Sequence, residues 1–252
     1  MRPTAVIIPS RDAALLSRAL SSLSGLVCIK SSEIRVFIVD DGVKSRPQSA
    51  LDLTYLQGSA PFCFARNINL GIRAAGPDCD VFLMNDDVVL FSSDALEVLS
   101  KPFSLNADIG IVSPVFTRFE RVAAQRFGNH PWGYRGFVSD NCKTLSFAAV
   151  LIRREVIDRV GLLDEMFTGY GFDDNDYCLR TRLAGFQIGV LPSVVANHGD
   201  TTGQASCTFR QSRDFASMIE INRKLFVSKW GKRLLALDDS QCTLLSLIAE
   251  SL

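Results

Sequence analysis

The sequence predicts an α/β fold: a Rossmann-like, mostly parallel central sheet with helices on both faces. Apolar, β-branched runs of strand length alternate along the chain with segments whose apolar residues recur at helical spacing. The chain has 252 residues, 47% of them hydrophobic, which is enough to bury the core of one large α/β domain. Three of the apolar runs end in polar residues, which is typical of the ligand-binding edge of such a sheet.

The first half of the chain predicts four buried strands and three helices. Gly25 ends the first helix, Gly76 and Pro77 end the second, and Ser93 or Asp94 is the N-cap of the third. The predicted strands are at 4–10, 34–42, 51–57 and 81–91, and the predicted helices are at 13–26, 64–78 and 93–103.

The second half predicts a strand at 109–119, then a polar, aromatic and turn-rich excursion at 121–143. A strand leads into a helix at 144–161, and Gly161 ends it. A glycine-bracketed loop and an acidic helix follow at 164–185, then a strand at 186–200 and an amphipathic helix at 213–231. Because no linker or repeat interrupts the pattern, we expect a single domain over residues 1–252.

Composition narrows the class of protein. With 27 basic and 27 acidic side chains the formal net charge is zero, which argues against binding to nucleic acid. The seven cysteines form no CxxC pair, as expected for reduced thiols in the cytoplasm. No apolar stretch approaches the roughly 20 residues that span a bilayer, and the N-terminal one is too short for a signal peptide. We expect a cytoplasmic protein, with peripheral association at the membrane face left open and the oligomeric state undetermined.

Polar side chains follow three of the predicted strands at the point where each strand ends. Because parallel strands finish at the same edge of a sheet, these residues are expected to lie together. The three groups are Pro9, Ser10 and Arg11; Asp40, Asp41 and Gly42; and Asn85, Asp86 and Asp87.

Acidic residues and one histidine form a candidate metal site. Asp86 and Asp87 close a strand, a DDND run opens the helix after the glycine-bracketed loop, and His198 ends another apolar run. Carboxylate and imidazole ligands suit Mn²⁺ or Mg²⁺, and a site that keeps open positions suits a diphosphate substrate. Each feature also has an ordinary interpretation: a capping turn, acidic residues favoured by the helix dipole, or a structural histidine.

Several runs together resemble the successive signatures of inverting glycosyltransferases of the GT-A fold, family 2, including bacterial rhamnosyltransferase-type members. The most specific stretch is Leu151–Arg180, and the similarity extends from about Ala5 to His198 and on through INRKLFVSKWG. The runs are VIIPSRD, VDDG, ARNINLGI, LMNDDV, FAAVLIRREVIDRVGLLDEMFTGYGFDDNDYCLR and NHGD.

The resemblance implies a metal-dependent transfer of a sugar from a UDP- or dTDP-sugar to a hydroxyl of a glycan or glycolipid. Residues 1–105 would form the nucleotide-binding half, and residues 106–252 the acceptor and catalytic half. The implied donor contacts are Pro9, Ser10 and Arg11 at the base, Asp40 or Asp41 at its imide N–H, Arg66 and Asn69 at the sugar or diphosphate, and Asp86 at the ribose.

The same resemblance assigns the metal and the catalytic base. Asp87 and His198 would bind Mn²⁺ or Mg²⁺, with Asn85 where the DxD motif of the family often has its first Asp. Asp174 would be the general base, and Asp173 stands where the family has Glu, so either carboxylate is a candidate for accepting the proton.

Two other classes of protein fit the sequence less well. A nucleotidyltransferase should have a glycine-rich loop after its first strand, and IIPSRDAALL contains no glycine. An inactive sugar- or nucleotide-binding module is disfavoured because Asp87, Asp174 and His198 are all present. In the excursion, Trp132, Tyr134 and Phe137 offer flat faces for a sugar ring, with core or surface packing as the alternative.

Overall fold

The structure is a computed structural model that describes residues 2–26, 34–118, 122–131, 133–139, 142–199 and 213–234. The strands are β1 (Thr4–Ser10), β2 (Ile34–Asp40), β3 (Leu53–Gln57), β4 (Asp80–Met84), β5 (Val88–Leu90), β6 (Ile109–Phe116), β7 (Ala149–Ile152) and β8 (Gln187–His198). The α-helices are α1 (Ala13–Ser24), α2 (Phe64–Ala75), α3 (Ala95–Leu105), α4 (Arg154–Val160), α5 (Asp173–Leu183) and α6 (Arg213–Leu234).

The eight strands form one sheet in the order β3-β2-β1-β4-β7-β6-β8-β5. The strands of the first half, β3, β2, β1 and β4, run parallel to one another. The second half is mixed: β7 is antiparallel to both β4 and β6, β8 is parallel to β6, and β5 is antiparallel to β8. The α/β architecture predicted from the sequence is therefore confirmed, with antiparallel pairing concentrated after β4.

Helices cover both faces of the sheet, as predicted. The strands alternate between two apolar clusters, so that Ile7 of β1 belongs to one and its neighbours Val6 and Ile8 belong to the other. One cluster packs under α2, α4 and α5, and the other packs under α1 and α3. Gly71 allows α2 to approach β1 closely, because a Cβ there would overlap the side chain of Ile7.

The apolar run 81–91 is two strands, which corrects the prediction of one. β4 pairs with β7 whereas β5 pairs with β8, so the chain must leave one neighbour and join another between them. The turn is closed by a hydrogen bond from the Val88 N–H to the Asn85 carbonyl, 3.2 Å, and the Asn85 N–H donates to Ala148, 2.8 Å. The apolar residues of this run indicate that both β4 and β5 are buried, but they do not indicate that the two strands pair with different neighbours.

The helix α6 is fixed to α5 through one buried carboxylate. The Oδ1 of Asp176, which is fully buried, accepts hydrogen bonds from Lys229 Nζ at 2.6 Å and Trp230 Nε1 at 2.9 Å. Its Oδ2 accepts one from Arg180 Nε at 2.8 Å, and Lys229 also pairs with Asp164 at 2.6 Å. Asp176, part of the DDND run, therefore serves to dock α6.

Four of the seven cysteines and all of the described helices can be compared with what the sequence predicts. Cys63, Cys79, Cys142 and Cys178 are free and buried; the remaining three cysteines lie outside the described residues. Among the helices with described coordinates, none combines the length and the apolar character that crossing a membrane requires.

Replacing Asp176 by Ala should lower the free energy of unfolding by about 2–3 kcal/mol, since the half-buried Arg180 and Lys229 and the buried Trp230 N–H lose a shared carboxylate. The matched control is Asp158→Ala, which removes an exposed pair with Arg154 one helical turn away and should cost only about 0.3–0.5 kcal/mol. Urea denaturation of both variants measures the difference. Equal losses would show that the Asp176 contacts do not dock α6.

Candidate active site

Three strand ends of the first half meet at one edge of the sheet, as predicted. Ser10 and Asp40 are opposite each other at the ends of β1 and β2, and the Asp41 N–H donates to the Ser10 carbonyl at 2.8 Å. The Ser10 hydroxyl donates to Asp86 Oδ2, also at 2.8 Å. The serine therefore connects the end of β1 to the turn after β4.

Asp86 is half-buried and is held in place by hydrogen-bond donors. Burial raises the pKa of its carboxyl to about 7. The hydrogen bond from Ser10 and the backbone N–H groups of Arg11 and Asp12 lower the pKa, while the neighbouring charge of Asp87 raises it. Asp86 therefore carries a partial negative charge near neutral pH, beside residues predicted to contact a nucleotide.

Asp87 and His198 are brought together by the pairing of β5 with β8. Val88 lies opposite His198 in the ladder, and the Gly199 N–H donates to the Asp87 carbonyl at 2.9 Å. The Asp87 Oδ1 and His198 Nε2 atoms are 3.7 Å apart, and both side chains are almost entirely buried. The ring of Phe116 packs on the imidazole with a centroid separation of 5.5 Å.

The Asp87–His198 pair fits a shared divalent cation. Two ligands that are each about 2.1 Å from one ion must lie within about 4.2 Å of each other, and these atoms do. Across the described residues no group of three or more His, Cys, Asp or Glu side chains is placed to hold a metal. Two protein ligands suit Mg²⁺ or Mn²⁺, which commonly complete their coordination with substrate phosphates and water.

The candidate bases lie at the start of α5, after a loop with an unusual backbone. Gly169, Gly171 and Phe172 have positive φ angles of 67°, 96° and 69°. The Gly171 N–H donates to Asp173 Oδ1 at 3.0 Å, whereas Oδ2 is buried without a hydrogen-bond partner in the part of the chain that the structure describes. Burial, and then the charge of Asp174, raise the pKa of Asp173 to about 8.

Asp174 differs from Asp173 in its exposure. Its side chain is half-buried, and its Oδ1 accepts a hydrogen bond from the N–H of Asn175 at 2.8 Å. The Asn175 amide donates in turn to Thr144 Oγ1 at 3.2 Å. Of the two carboxylates that the sequence left as alternatives, Asp174 is the one open to an approaching hydroxyl.

Tyr170 precedes α5 by three residues and packs against the start of α2. Its ring packs on Phe62 and Phe64, with centroid separations of 4.8 and 5.8 Å. Burial raises the pKa of the Tyr170 hydroxyl above its ordinary value. The negative charges that raise it further belong to Asp86, Asp87, Asp173 and Asp41. Carboxylates of both halves are therefore close enough to one aromatic side chain for their charges to act on it.

Asp40 and Asp41 differ in their local roles. Asp40 Oδ1 accepts the N–H groups of Gly42 at 3.0 Å and Val43 at 2.8 Å, so it stabilises the turn that follows β2. Asp41 lies beside Asn67 and Arg11; burial raises the pKa of its carboxyl, and these two neighbours lower it. Asp41 is therefore the better placed of the two for the predicted contact with a nucleotide base.

Arg66 and Asn69 connect α2 to the segment before the glycine-containing loop. Arg66 Nε is 3.3 Å from Glu165 Oε2. The buried Asn69 amide donates to Leu163 O and Glu165 Oε1, both at 2.9 Å, and its Oδ1 accepts the Leu163 N–H at 3.0 Å. These contacts give both residues a structural role, and their contact with the donor stays a prediction. Sequence reasoning missed Glu165, which is 96 residues from Asn69.

The remaining predicted residues are placed as follows. Pro9 is buried in β1, Arg11 is exposed directly after it, and Asn85 is half-buried in the turn between β4 and β5. In the excursion Tyr134 is 45% exposed, whereas Phe137 packs against the core next to Gly189. Trp132 lies outside the described residues.

Comparison with known proteins identifies the fold. No family model and no curated protein matches the sequence. S. aureus TarS 1–349 is similar over 100% of this chain and 70% of its own, with a TM-score of 0.67 and 14% identity. The mannosyltransferase PcManGT from Pyrobaculum calidifontis, solved with GDP-Man and Mn²⁺, is similar over 99% of this chain and 74% of its own, with a TM-score of 0.62 and 18% identity.

GalNAc-T7, solved with UDP, GalNAc and Mn²⁺, is similar over 90% of this chain and 50% of its own, with a TM-score of 0.61 and 11% identity. These neighbours are glycosyltransferases of the GT-A fold. The chain therefore has the GT-A fold that the sequence motifs predicted. At identities this low the similarity concerns the fold, and an activity depends on the side chains of the candidate site.

Asp173 should make the stability of the metal-free protein depend on pH. Its carboxyl has a pKa raised to about 8 in the folded state and of about 3.9 in the unfolded chain. Between these values the folded state keeps a proton that the unfolded state has released, so the contribution of Asp173 to stability falls as pH rises.

Asn cannot ionise, so the stability of Asp173→Asn should not show this fall. As the pH rises from about 5 to about 8, the unfolding free energy of the variant should therefore increase by at least about 1 kcal/mol relative to that of wild type. Urea denaturation with a chelator present measures it, and Asp78→Asn, at an exposed position, is the control. A difference between wild type and Asp173→Asn that does not change with pH would contradict the buried, protonated Asp173.

Proposed function

We propose that this chain is a metal-dependent inverting glycosyltransferase, which transfers a sugar from a UDP- or dTDP-sugar to a hydroxyl of a glycan or glycolipid. The observation that carries the proposal is the buried pair Asp87–His198, with Oδ1 and Nε2 3.7 Å apart, directly after Asp86 at the strand ends of a GT-A fold. The negative charges of Asp41, Asp86, Asp87 and Asp173 all raise the pKa of the Tyr170 hydroxyl, so carboxylates of both halves lie near one side chain. Residues 1–105 act as the nucleotide-binding half, and residues 106–252 act as the acceptor and catalytic half of one domain.

The donor nucleotide binds at the strand ends of the first half. Asp41, beside Arg11 and Asn67, accepts the imide N–H of the base. Asp86, fixed by Ser10, contacts the ribose and accepts a hydrogen bond from a sugar hydroxyl more readily in its ionised form. The complexes of PcManGT with GDP-Man and of TarS with UDP-GlcNAc show that proteins of this fold bind such donors.

Asp87 and His198 are the residues that would hold Mn²⁺ or Mg²⁺. When bound, the ion supplies positive charge that neutralises the diphosphate as it departs. Burial of both side chains keeps bulk water from competing for them, and the β5–β8 ladder fixes their separation. Neither residue needs to move to approach the other.

Asp174 acts as the general base. The acceptor hydroxyl oxygen forms a bond to the anomeric carbon while the bond from that carbon to the diphosphate oxygen breaks, and the diphosphate leaves with the electron pair. The proton of the hydroxyl passes to Asp174, which is half-buried and open to the acceptor. Asp173, which keeps its own proton up to about pH 8, is a poor proton acceptor at neutral pH.

Replacing Asp174 by Asn should lower kcat by about 10²–10⁴-fold, because the acceptor hydroxyl loses its base. Donor affinity should stay within about threefold of wild type, since Asp174 contacts the acceptor. A mass-spectrometric screen of donors and acceptors measures transfer, and calorimetry measures donor binding. The matched variant Asp173→Asn should lose less than about tenfold in kcat; the reverse ranking would make Asp173 the base.

Replacing Asp87 or His198 by Ala should weaken donor binding in the presence of Mn²⁺ by at least about tenfold. Chelation should weaken wild-type binding in the same way. Calorimetry with UDP-, dTDP- and GDP-sugars, with and without Mn²⁺, measures both effects, and Glu155→Gln, at an exposed position, serves as the control. If the wild type binds none of these donors with Mn²⁺ present, the proposed function is wrong.

A further inference from the structure

We propose that Asn222, on α6, is a positioning residue for transfer: its side-chain amide holds the loop 168–171 and thereby places Tyr170, Asp173 and Asp174. This inference rests on the proposed function and adds a residue that belongs to neither the donor contacts nor the base. Asn222 acts through the backbone of the loop and does not touch the reacting atoms.

The amide nitrogen of Asn222 is within hydrogen-bonding distance of three carbonyl oxygens of the loop. Asn222 is fully buried, and the carbonyl oxygens of Thr168, Tyr170 and Gly171 lie 2.8, 3.0 and 3.1 Å from its Nδ2. The two N–H groups of the amide are therefore shared among three acceptors. The fourth carbonyl of the loop, that of Gly169, accepts the Phe64 N–H at 3.0 Å. The loop is therefore held between α6 on one side and the start of α2 on the other.

The loop needs such an external support because of its backbone conformation. The positive φ angles at Gly169, Gly171 and Phe172 prevent a regular helical or strand pattern of hydrogen bonds. A Phe in this region carries strain of about 1–3 kcal/mol, which the surroundings must offset. Buried carbonyl oxygens without donors would add to that cost, and the Asn222 amide supplies the donors.

The two glycines of the loop also allow α6 to approach closely. A Cβ at Gly169 would overlap Met218, and one at Gly171 would be 2.6 Å from Cδ1 of Ile219. Met218 and Ile219 lie about one turn before Asn222 on α6. Loop and helix are therefore in close contact at both glycines, which favours a defined position for the residues that follow.

Tyr170 and Asp173 depend directly on the supported loop. The Tyr170 carbonyl is bound by Asn222, and the Gly171 N–H holds Asp173 Oδ1. Asp174 follows in the first turn of α5. Because a displacement of about 1 Å at a reacting group can reduce the rate by about 10²-fold, a change in loop position should affect kcat more than donor affinity.

Docking of α6 itself does not depend on Asn222 alone. Lys229 and Trp230 bind Asp176 further along the helix. Phe226 and Trp230 pack in an apolar cluster with Phe167 and Phe172. A variant at 222 can therefore lose the loop contact while α6 stays in place.

Asn222→Asp has the same shape but lacks the N–H donors, so it tests the contact directly. We expect kcat to fall by about 10–100-fold, the KM for the donor to stay within about threefold, and amide hydrogen exchange of residues 167–173 to accelerate. Asn222→Ala, which adds no charge, gives the same readouts if the Asp variant does not fold. Trp230→Phe is the control: it removes a hydrogen bond of the same helix and should lower Tm while leaving kcat within about threefold.

Two results would overturn the inference. One is unchanged exchange of residues 167–173 in the Asn222 variants; the other is a loss of kcat in Trp230→Phe as large as theirs. A third result has a different meaning. If hydrogen exchange is faster in the Asn222 variants but the wild type transfers no sugar from any donor, the proposed function is wrong and so is the catalytic role of Asn222. The exchange measurement thus separates failure of the contact from failure of the function.

Discussion

Burial of carboxylates at one edge of the sheet is the constraint on which the rest of the structure depends. Moving an ionised carboxylate out of water costs free energy unless donors or cations replace the lost hydration. Asp176 has cations for this purpose, Lys229 and Arg180. Asp86 has the Ser10 hydroxyl and the backbone N–H groups of Arg11 and Asp12, and Asp173 has backbone N–H groups at its own position, at Gly171 and at Asp174. The chain therefore keeps site carboxylates in an environment that favours a proton or an incoming cation, as functional sites commonly do.

The topology of the sheet makes this arrangement possible. Parallel strands bring Ser10, Asp41 and Asp86 to one edge, and the change of partner between β4 and β5 turns Asp87 toward β8. The loop before α5 brings a second group of carboxylates to the same place, held by contacts that come from α2 and α6. Elements from both halves of the described chain thus contribute residues to the candidate site.

The sequence was sufficient for the order of the elements and for the meeting of the strand ends, because both follow from hydrophobic pattern and parallel pairing. It was insufficient for the break in 81–91, since apolar residues do not indicate which strand they pair with. It also left Asp173 and Asp174 as alternatives, because adjacent residues of one type differ here only in burial. Asn222 and Glu165 act through partners more than 50 residues away, and no local spacing indicates such contacts.

The position of β5 has a consequence for the proposed metal. This strand has three residues and lies at the end of the sheet, and β8 is its single partner among the described strands, so it belongs to the least cooperative part of the sheet. A cation bound by Asp87 and His198 would bridge the two strands next to their first paired residues. Thermodynamic linkage then requires that the ion stabilise the pairing by the same free energy with which the pairing raises affinity for the ion. Fraying of this edge would therefore weaken binding of the ion, and bound ion would oppose fraying by the same free energy.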